Sequence, residues 1–216
     1  MKNTIIFDVD GTLLDTEKVY MKAWKLAGAK YGYTITDEAL LQTRAVNSQV
    51  AEAVFRRCCG ADFPLETVHA ERVRISEEIL ASTPAEELWK PHALKTLQWL
   101  QEQGYKLAIA STTAYEKTKS HMQHAKLWDF FPVVVCGDMV ARGKPEPDIF
   151  LKAAELCGSN IEDCLVVGDS PADVGAAWAA GIPLVLIPDQ VPLNPDTEKK
   201  SWKVLSDLSG LQALLK

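Results

Sequence analysis

A chain of 216 residues can hold one large domain or two modest ones around a real hydrophobic core. Hydrophobic residues make up 47% and charged residues 24%, an ordinary globular composition, and a net charge of -6 argues against a nucleic-acid partner, which needs clustered Lys and Arg. No apolar stretch approaches the ~20 residues that span a bilayer, and Met1-Lys2 leads straight into NTIIFDVDG without an apolar signal region, so a cytoplasmic protein with no membrane contact is expected. The five cysteines (Cys58, Cys59, Cys136, Cys157 and Cys164) are odd in number and form no C-x-x-C, which suits reduced thiols packed as small hydrophobes.

The first apolar run, TIIF (4–7), shows no alternation and ends on Asp8-Val9-Asp10-Gly11-Thr12. From 17 to about 80 come four helix-like segments, EKVYMKAWKLAGAKYG, DEALLQTRAV, SQVAEAVFRRCCG and LETVHAERVRISEEILAS, and nothing strand-like. Trp24 and Tyr20 lie four apart on the first of these, a spacing that suits core packing, and Arg56-Arg57 suits a solvated face. A helix is predicted over about 92–104, with His92 at its start and Gly104 as its stop. The run KLAIA (106–110) then ends on Ser111, Thr112 and Thr113, and a helix follows over 114–127. Ser111 is expected to cap that helix. His121 and His124 lack a third metal ligand and read as part of a solvated helix face.

VVVC (133–136) precedes RGKPEPD, which carries Lys144, and a helix over 147–157. CLVVG (164–168) ends on Asp169-Ser170-Pro171-Ala172-Asp173, and a helix over 172–180 stops at Gly181. PLVLI (183–187) is a fifth strand. PDQVPLNPDTEKK (188–200) has turn composition and is expected to be an exposed loop. WKVLSDLSGLQALL reads as a short edge strand, an Asp or Ser cap and a closing helix.

Near-continuous Val, Ile and Leu in short runs predicts strands buried on both faces, and alternation with helices predicts a doubly wound α/β fold on a parallel sheet. The helical block breaks that alternation and reads as a domain of its own, at 15–82, inserted into an α/β core made of 1–14 and 83–216. In such sheets ligands bind beyond the carboxyl ends of the strands. There the sequence places several carboxylates, a hydroxyl cluster and one lysine. Ionised carboxylates crowd together at a cost unless a cation joins them. A hard divalent ion such as Mg²⁺ takes oxygen ligands of this kind. One carboxylate can then attack phosphorus while a second handles the proton, with Ser111 and Lys144 on the phosphoryl oxygens.

DVDGT, AST, GKPEPD and GDSPAD, in that order, resemble the four motifs of the haloacid dehalogenase (HAD) superfamily, and the likeness covers essentially the whole chain. The resemblance implies a Rossmann-like three-layer core with an inserted all-helical cap. It implies Asp8 as nucleophile, Asp10 as general acid and base, and Ser111 and Lys144 at the phosphate beside Thr112. Mg²⁺ would be held by the Asp8 side chain, the Asp10 backbone carbonyl and Asp169, with Asp173 assisting directly or through water. Thr12 would pack or hydrogen-bond at the site, and Asp15-Thr16 would open the hinge.

Asp10 separates the chain from the dehalogenases, which the family's pattern leaves without a second aspartate in the first motif. The chain looks most like the β-phosphoglucomutase and phosphoglycolate-phosphatase branches. Where the mutases carry a cap histidine this chain has Tyr20, and the cap loop TRAVNSQ offers Ala45 and Ser48 where they carry Gly and Arg. Arg44 lies one position from the cap glycine and, like Tyr20, is a candidate substrate contact. The resemblance therefore implies a Mg²⁺-dependent phosphatase acting on a small phosphorylated metabolite, expected as a monomer. A sugar-phosphate mutase is the alternative, and a non-catalytic phospho-metabolite binder a more distant one.

Overall fold

The computed structural model describes residues 2–43, 48–189 and 194–216. The chain divides into two compact units, one running up to Asp15 and resuming over Pro84–Lys216, the other Thr16–Thr83. In the first unit, strands β1 (Thr4–Phe7), β2 (Lys106–Ser111), β3 (Val133–Cys136), β4 (Cys164–Gly168), β5 (Leu184–Leu186) and β6 (Lys203–Val204) form one sheet in the order β3-β2-β1-β4-β5-β6. Every pairing is parallel. Ile5, Ile6 and Phe7 are wholly buried, as a strand covered on both faces requires. Each such side chain contributes about 1.5–3 kcal/mol by leaving water.

The second unit is all helical among its described residues: α1 (Thr16–Lys30), α2 (Asp37–Gln42), α3 (Ser48–Cys59) and α4 (Leu65–Ser82). Its core is aromatic. Phe55 stacks on Phe63 at 5.2 Å, Trp24 tilts against Phe55 at 4.7 Å, and Tyr33 meets Phe63 edge-on at 5.1 Å. Gly28 is needed there because a Cβ would lie 2.8 Å from the Ile35 side chain. Tyr20 is half-buried, its ring 4.3 Å beneath the Arg72 guanidinium.

Returning to the first unit, α5 (Ala93–Glu102), α6 (Tyr115–His124), α7 (Asp148–Leu156), α8 (Pro171–Ala180), α9 (Pro195–Lys200) and α10 (Gly210–Leu214) complete the layers. Ile6, Ala108, Ala110 and Val166 pack with Ile149 and Phe150 of α7 and with Val174 and Ala177 of α8. Alternate strand residues, Ile5, Phe7 and Ile109, turn to the opposite face.

Three expectations are corrected here. Residues 195–200 are not loop: the Asn194 side chain accepts from the Thr197 N–H at 2.9 Å, Pro195 presets the first turn, and α9 forms with Thr197 buried. His121 is not solvated. Thr118, His121 and Met122 form the inward face of α6, leaving His124 exposed. Ser111 does not cap α6, because its Oγ accepts from the Thr113 N–H at 3.1 Å while the Asp138 carboxylate accepts from the Tyr115 N–H at 3.1 Å.

His92 stands in front of α5, exposed, in the left-handed region with φ 66° and without a side-chain cap bond. Glycine meets no Cβ penalty there. We expect His92→Gly to stabilise the fold by about 0.5–1 kcal/mol net of the glycine's unfolded-state entropy, read as a higher urea midpoint. An unchanged or lower midpoint would count against the strain.

Candidate active site

The parallel register carries the functional side chains to one edge. Phe7 lies opposite Ile109 on β2 and Val167 on β4, so Asp8, the Ala110–Ser111 strand end and the Gly168-Asp169 turn leave the sheet together. The Asp8 N–H donates to Val167 O at 2.9 Å and fixes the exit of β1. Val9 and Leu13 turn back into the core, so the Asp8–Leu14 segment forms a tight turn against the strand end.

Lys144 binds this edge together. Its side chain is 2% exposed and its Nζ donates to Asp8 Oδ1 at 2.5 Å and to Ala110 O at 2.8 Å, and forms an ion pair with Asp173 Oδ1 at 2.7 Å. Burial alone would discharge this lysine, but the Asp173 and Asp8 carboxylates more than offset that and raise its pKa. Asp173 sits at the start of α8 in a reciprocal cap. Its Oδ2 accepts from the Ser170 N–H at 3.1 Å and from the Ser170 hydroxyl at 2.6 Å, while its N–H donates to Ser170 Oγ at 3.2 Å. One carboxylate oxygen therefore caps the helix and the other faces the lysine.

Asp8, Asp169 and Asp173 can bring one oxygen each within 4.8 Å of one another. Burial first, then the Asp173 and Asp10 charges, outweigh Lys144 and push Asp8 up to about 8. Burial, Asp173 and Asp8 likewise raise Asp169 well above the carboxylate range, against the Thr12 hydroxyl, which donates to Asp169 Oδ1 at 2.9 Å. Three carboxylates beside one lysine leave a net charge of -2 when all are ionised. That deficit and the all-oxygen donor set fit a hard divalent cation.

Gly11 makes the arrangement possible. Its φ of +88° is a glycine conformation, and a Cβ would fall 2.5 Å from Asp169 Oδ2. We expect Gly11→Ala to push Asp169 aside, weakening divalent-cation binding at least ~10-fold and costing about 1–2 kcal/mol of stability through the backbone alone. Calorimetric titration and urea unfolding read the two effects, and a variant with native cation affinity would refute the close-approach argument.

Asp10 points elsewhere. Its carboxylate accepts from the Thr113 hydroxyl at 2.8 Å, and its side chain is not one of the three clustered carboxylates. Ser111 is 1% exposed at the end of β2, with Thr112 and Thr113 following it. The structure thus brings Asp8, Lys144, Asp169 and Asp173 into one cluster, with Asp10 two residues past Asp8 and Ser111 at the end of the neighbouring strand β2. Tyr20 belongs to the helical unit, and Arg44 lies outside the described residues.

Two partners went unread in the sequence. Ser170-x-x-Asp173 has capping-box spacing, which would have linked the pair. Nothing local announces the bond from Thr113 to Asp10, whose partners are 103 residues apart.

A family model described as haloacid dehalogenase-like hydrolase matches residues 5–187. A phosphorylated carbohydrates phosphatase of Thermotoga maritima is 30% identical over 182 residues, covering 82% of this chain and 81% of that protein. A phosphoglycolate phosphatase of Aquifex aeolicus is 31% identical over 183 residues, covering 82% and 80%. Among solved structures, CbbY from Rhodobacter sphaeroides in complex with phosphate superposes with a TM-score of 0.78 at 24% identity, over 98% of this chain and 96% of that one, a likeness of fold. With a nearly full-length model match and curated relatives that are phosphatases, the chain belongs to the haloacid dehalogenase-like hydrolase family.

Proposed function

We propose that the chain is a Mg²⁺-dependent phosphatase of a small phosphorylated metabolite, a sugar phosphate or a phosphoglycolate-like ester. The observation that carries this reading is the buried Lys144 shared by Asp8 and Asp173 beside Asp169, one positive charge among three carboxylates at a sheet edge. The phosphatase relatives support the substrate class.

In this reading Asp8 and Asp169 would hold the cation with the Asp10 backbone carbonyl, and Asp173, also engaged by Ser170 and Lys144, would assist directly or through water. When bound, Mg²⁺ offsets the site's negative charge and that of the phosphoryl oxygens. Asp8 attacks phosphorus through a carboxylate oxygen, the ester P–O bond breaks, and Asp10 gives its proton to the leaving oxygen. Water then attacks the aspartyl-phosphate as Asp10 takes its proton, releasing phosphate and restoring Asp8. Lys144 and Ser111 hold the phosphoryl oxygens throughout, with Thr112 beside them. Thr113 keeps the Asp10 carboxylate aimed until it is needed.

The test is phosphate release from a panel of phosphate monoesters, with Mg²⁺ and with a chelator. Cation-dependent release from at least one ester is expected. Binding without turnover across the panel would sink the catalytic reading. Isomerisation outrunning phosphate release, with dependence on a bisphosphate activator, would establish the mutase instead.

A further inference from the structure

A second, largely buried ion pair stands at the same edge of the sheet, and the reaction outlined above makes no use of it. Lys90 Nζ meets Asp189 Oδ1 at 2.8 Å, with side chains 13% and 6% exposed. Both partners are held from their backbones at the functional edge of the sheet. The Lys90 N–H donates to Leu13 O at 2.9 Å, and Leu14 bridges Trp89, so Lys90 is fastened to the turn that follows Asp8. Gly168 of β4 lies opposite Leu186 of β5, and the Ile187 N–H donates to Gly168 O at 2.9 Å. Asp169 and the Pro188-Asp189 segment therefore leave the sheet side by side.

Asp189 is not among the three carboxylates that can share an ion. Its charge nevertheless adds to those that disfavour ionisation of Asp169. An acidic side chain next to a cation site would ordinarily be drawn to the cation. Here a lysine holds it.

We propose that Lys90 and Asp189 set the cation preference of the site: Lys90 engages Asp189 and keeps a further carboxylate out of the coordination sphere. The consequence follows from ion size. Mg²⁺ needs six close oxygens in near-octahedral order and keeps several waters, so a small carboxylate set suits it. Ca²⁺ accepts six to eight oxygens at longer distances, and an extra carboxylate, bidentate if free, favours it. Lys90 thereby restricts the donor number and also contributes a positive charge that moderates affinity for any divalent ion. Lys90 and Asp189 are positioning residues. This inference rests on the reading that a divalent cation binds at Asp8 and Asp169.

The experiment is calorimetric titration of the metal-free full chain with Mg²⁺ and, separately, with Ca²⁺ at pH 8 and fixed ionic strength. Wild type, Lys90→Met, Lys90→Arg and Asp189→Asn are compared. Lys90→Met should bind Ca²⁺ ~10-fold more tightly and Mg²⁺ by a smaller factor. Asp189→Asn, which leaves the lysine charge and removes the carboxylate, should weaken both ions several-fold, and Lys90→Arg should stay near wild type. Opposite shifts in the Lys90→Met and Asp189→Asn variants identify an electrostatic role, since a merely structural pair would move both in one direction. Shifts of one sign, or none, overturn the proposal. Should Lys90→Met fail to fold, unchanged affinities in Asp189→Asn would overturn it equally. Wild type that binds neither ion would refute the metal reading itself, a result separable from failure of the Lys90 argument.

Discussion

On the proposed function, replacing Asp8 by Asn should abolish phosphate release, by about 10⁴-fold or more, while leaving a folded protein whose metal-free form is more heat-stable than wild type at pH 8. The loss of activity would follow from removing the proposed nucleophilic oxygen. Stability follows from the proton balance. Asp8 is raised by folding from 3.8 to about 8, chiefly by burial, so it supports the fold only while protonated. That contribution is full below pH 3.8 and is lost as pH rises through about 8. Asn does not titrate and keeps its stability across the window. Lys144 adds no slope there, because a lysine with a raised pKa contributes fully at every pH below 10.5. The melting-temperature gap between variant and wild type should therefore close as pH falls toward 4, and added Mg²⁺ should narrow it at pH 8. Activity within tenfold of wild type would sink the nucleophile assignment. A gap that widens in acid would sink the electrostatic one.

Lys144→Met is the second large effect. The substitution keeps an unbranched side chain but removes the donor to Asp8 and Ala110 O and the charge paired with Asp173. Breaking a buried ion pair from one side costs about 3–5 kcal/mol, since the remaining charges stay buried. Here carboxylates can relieve the loss by taking up protons, so the deficit should be greatest at pH 8 and smaller at pH 5. Phosphate release should fall by about 10²–10³-fold or more at either pH if, as proposed, Lys144 supplies a preorganised charge to the phosphoryl oxygens. Urea unfolding at the two pH values, beside the phosphate assay, reads both. Equal stability loss at both pH values would show that Lys144 packs rather than neutralises.

Legibility from sequence divided along physical lines. TIIF, KLAIA, VVVC and CLVVG announced buried parallel strands because burial on both faces writes itself as an unbroken apolar run. That Asp8, Lys144 and Asp169 would meet beyond the strand ends was legible, since the parallel topology sends all strand ends one way. The caps were less so. Asn194-Pro195 carries a helix-start signal that the surrounding turn composition obscured. Asp138, not Ser111, meets the first turn of α6, beside Gly137, which packs closely on the Thr112 backbone, and sequence cannot show which carboxylate reaches a helix end across space. His121 was misjudged because a polar residue on the inward stripe of a short, weakly apolar helix leaves no periodic signal. The Lys90–Asp189 pair joins residues 99 apart with no local signal, and only the folded register brings both to the strand ends.

The bonds that build the site span long stretches of chain: 136 residues between Lys144 and Asp8, 157 between Thr12 and Asp169. Closing such loops is entropically expensive, and contacts of this range form after the local helices. The cluster is therefore expected to assemble late in folding and to be lost early in unfolding. A bound divalent ion should then leave the refolding rate nearly unchanged and slow the unfolding rate, so its protection is felt as a longer native lifetime. Stopped-flow refolding and unfolding with and without Mg²⁺ would show it, and a cation that chiefly accelerates refolding would place the cradle in the folding nucleus instead.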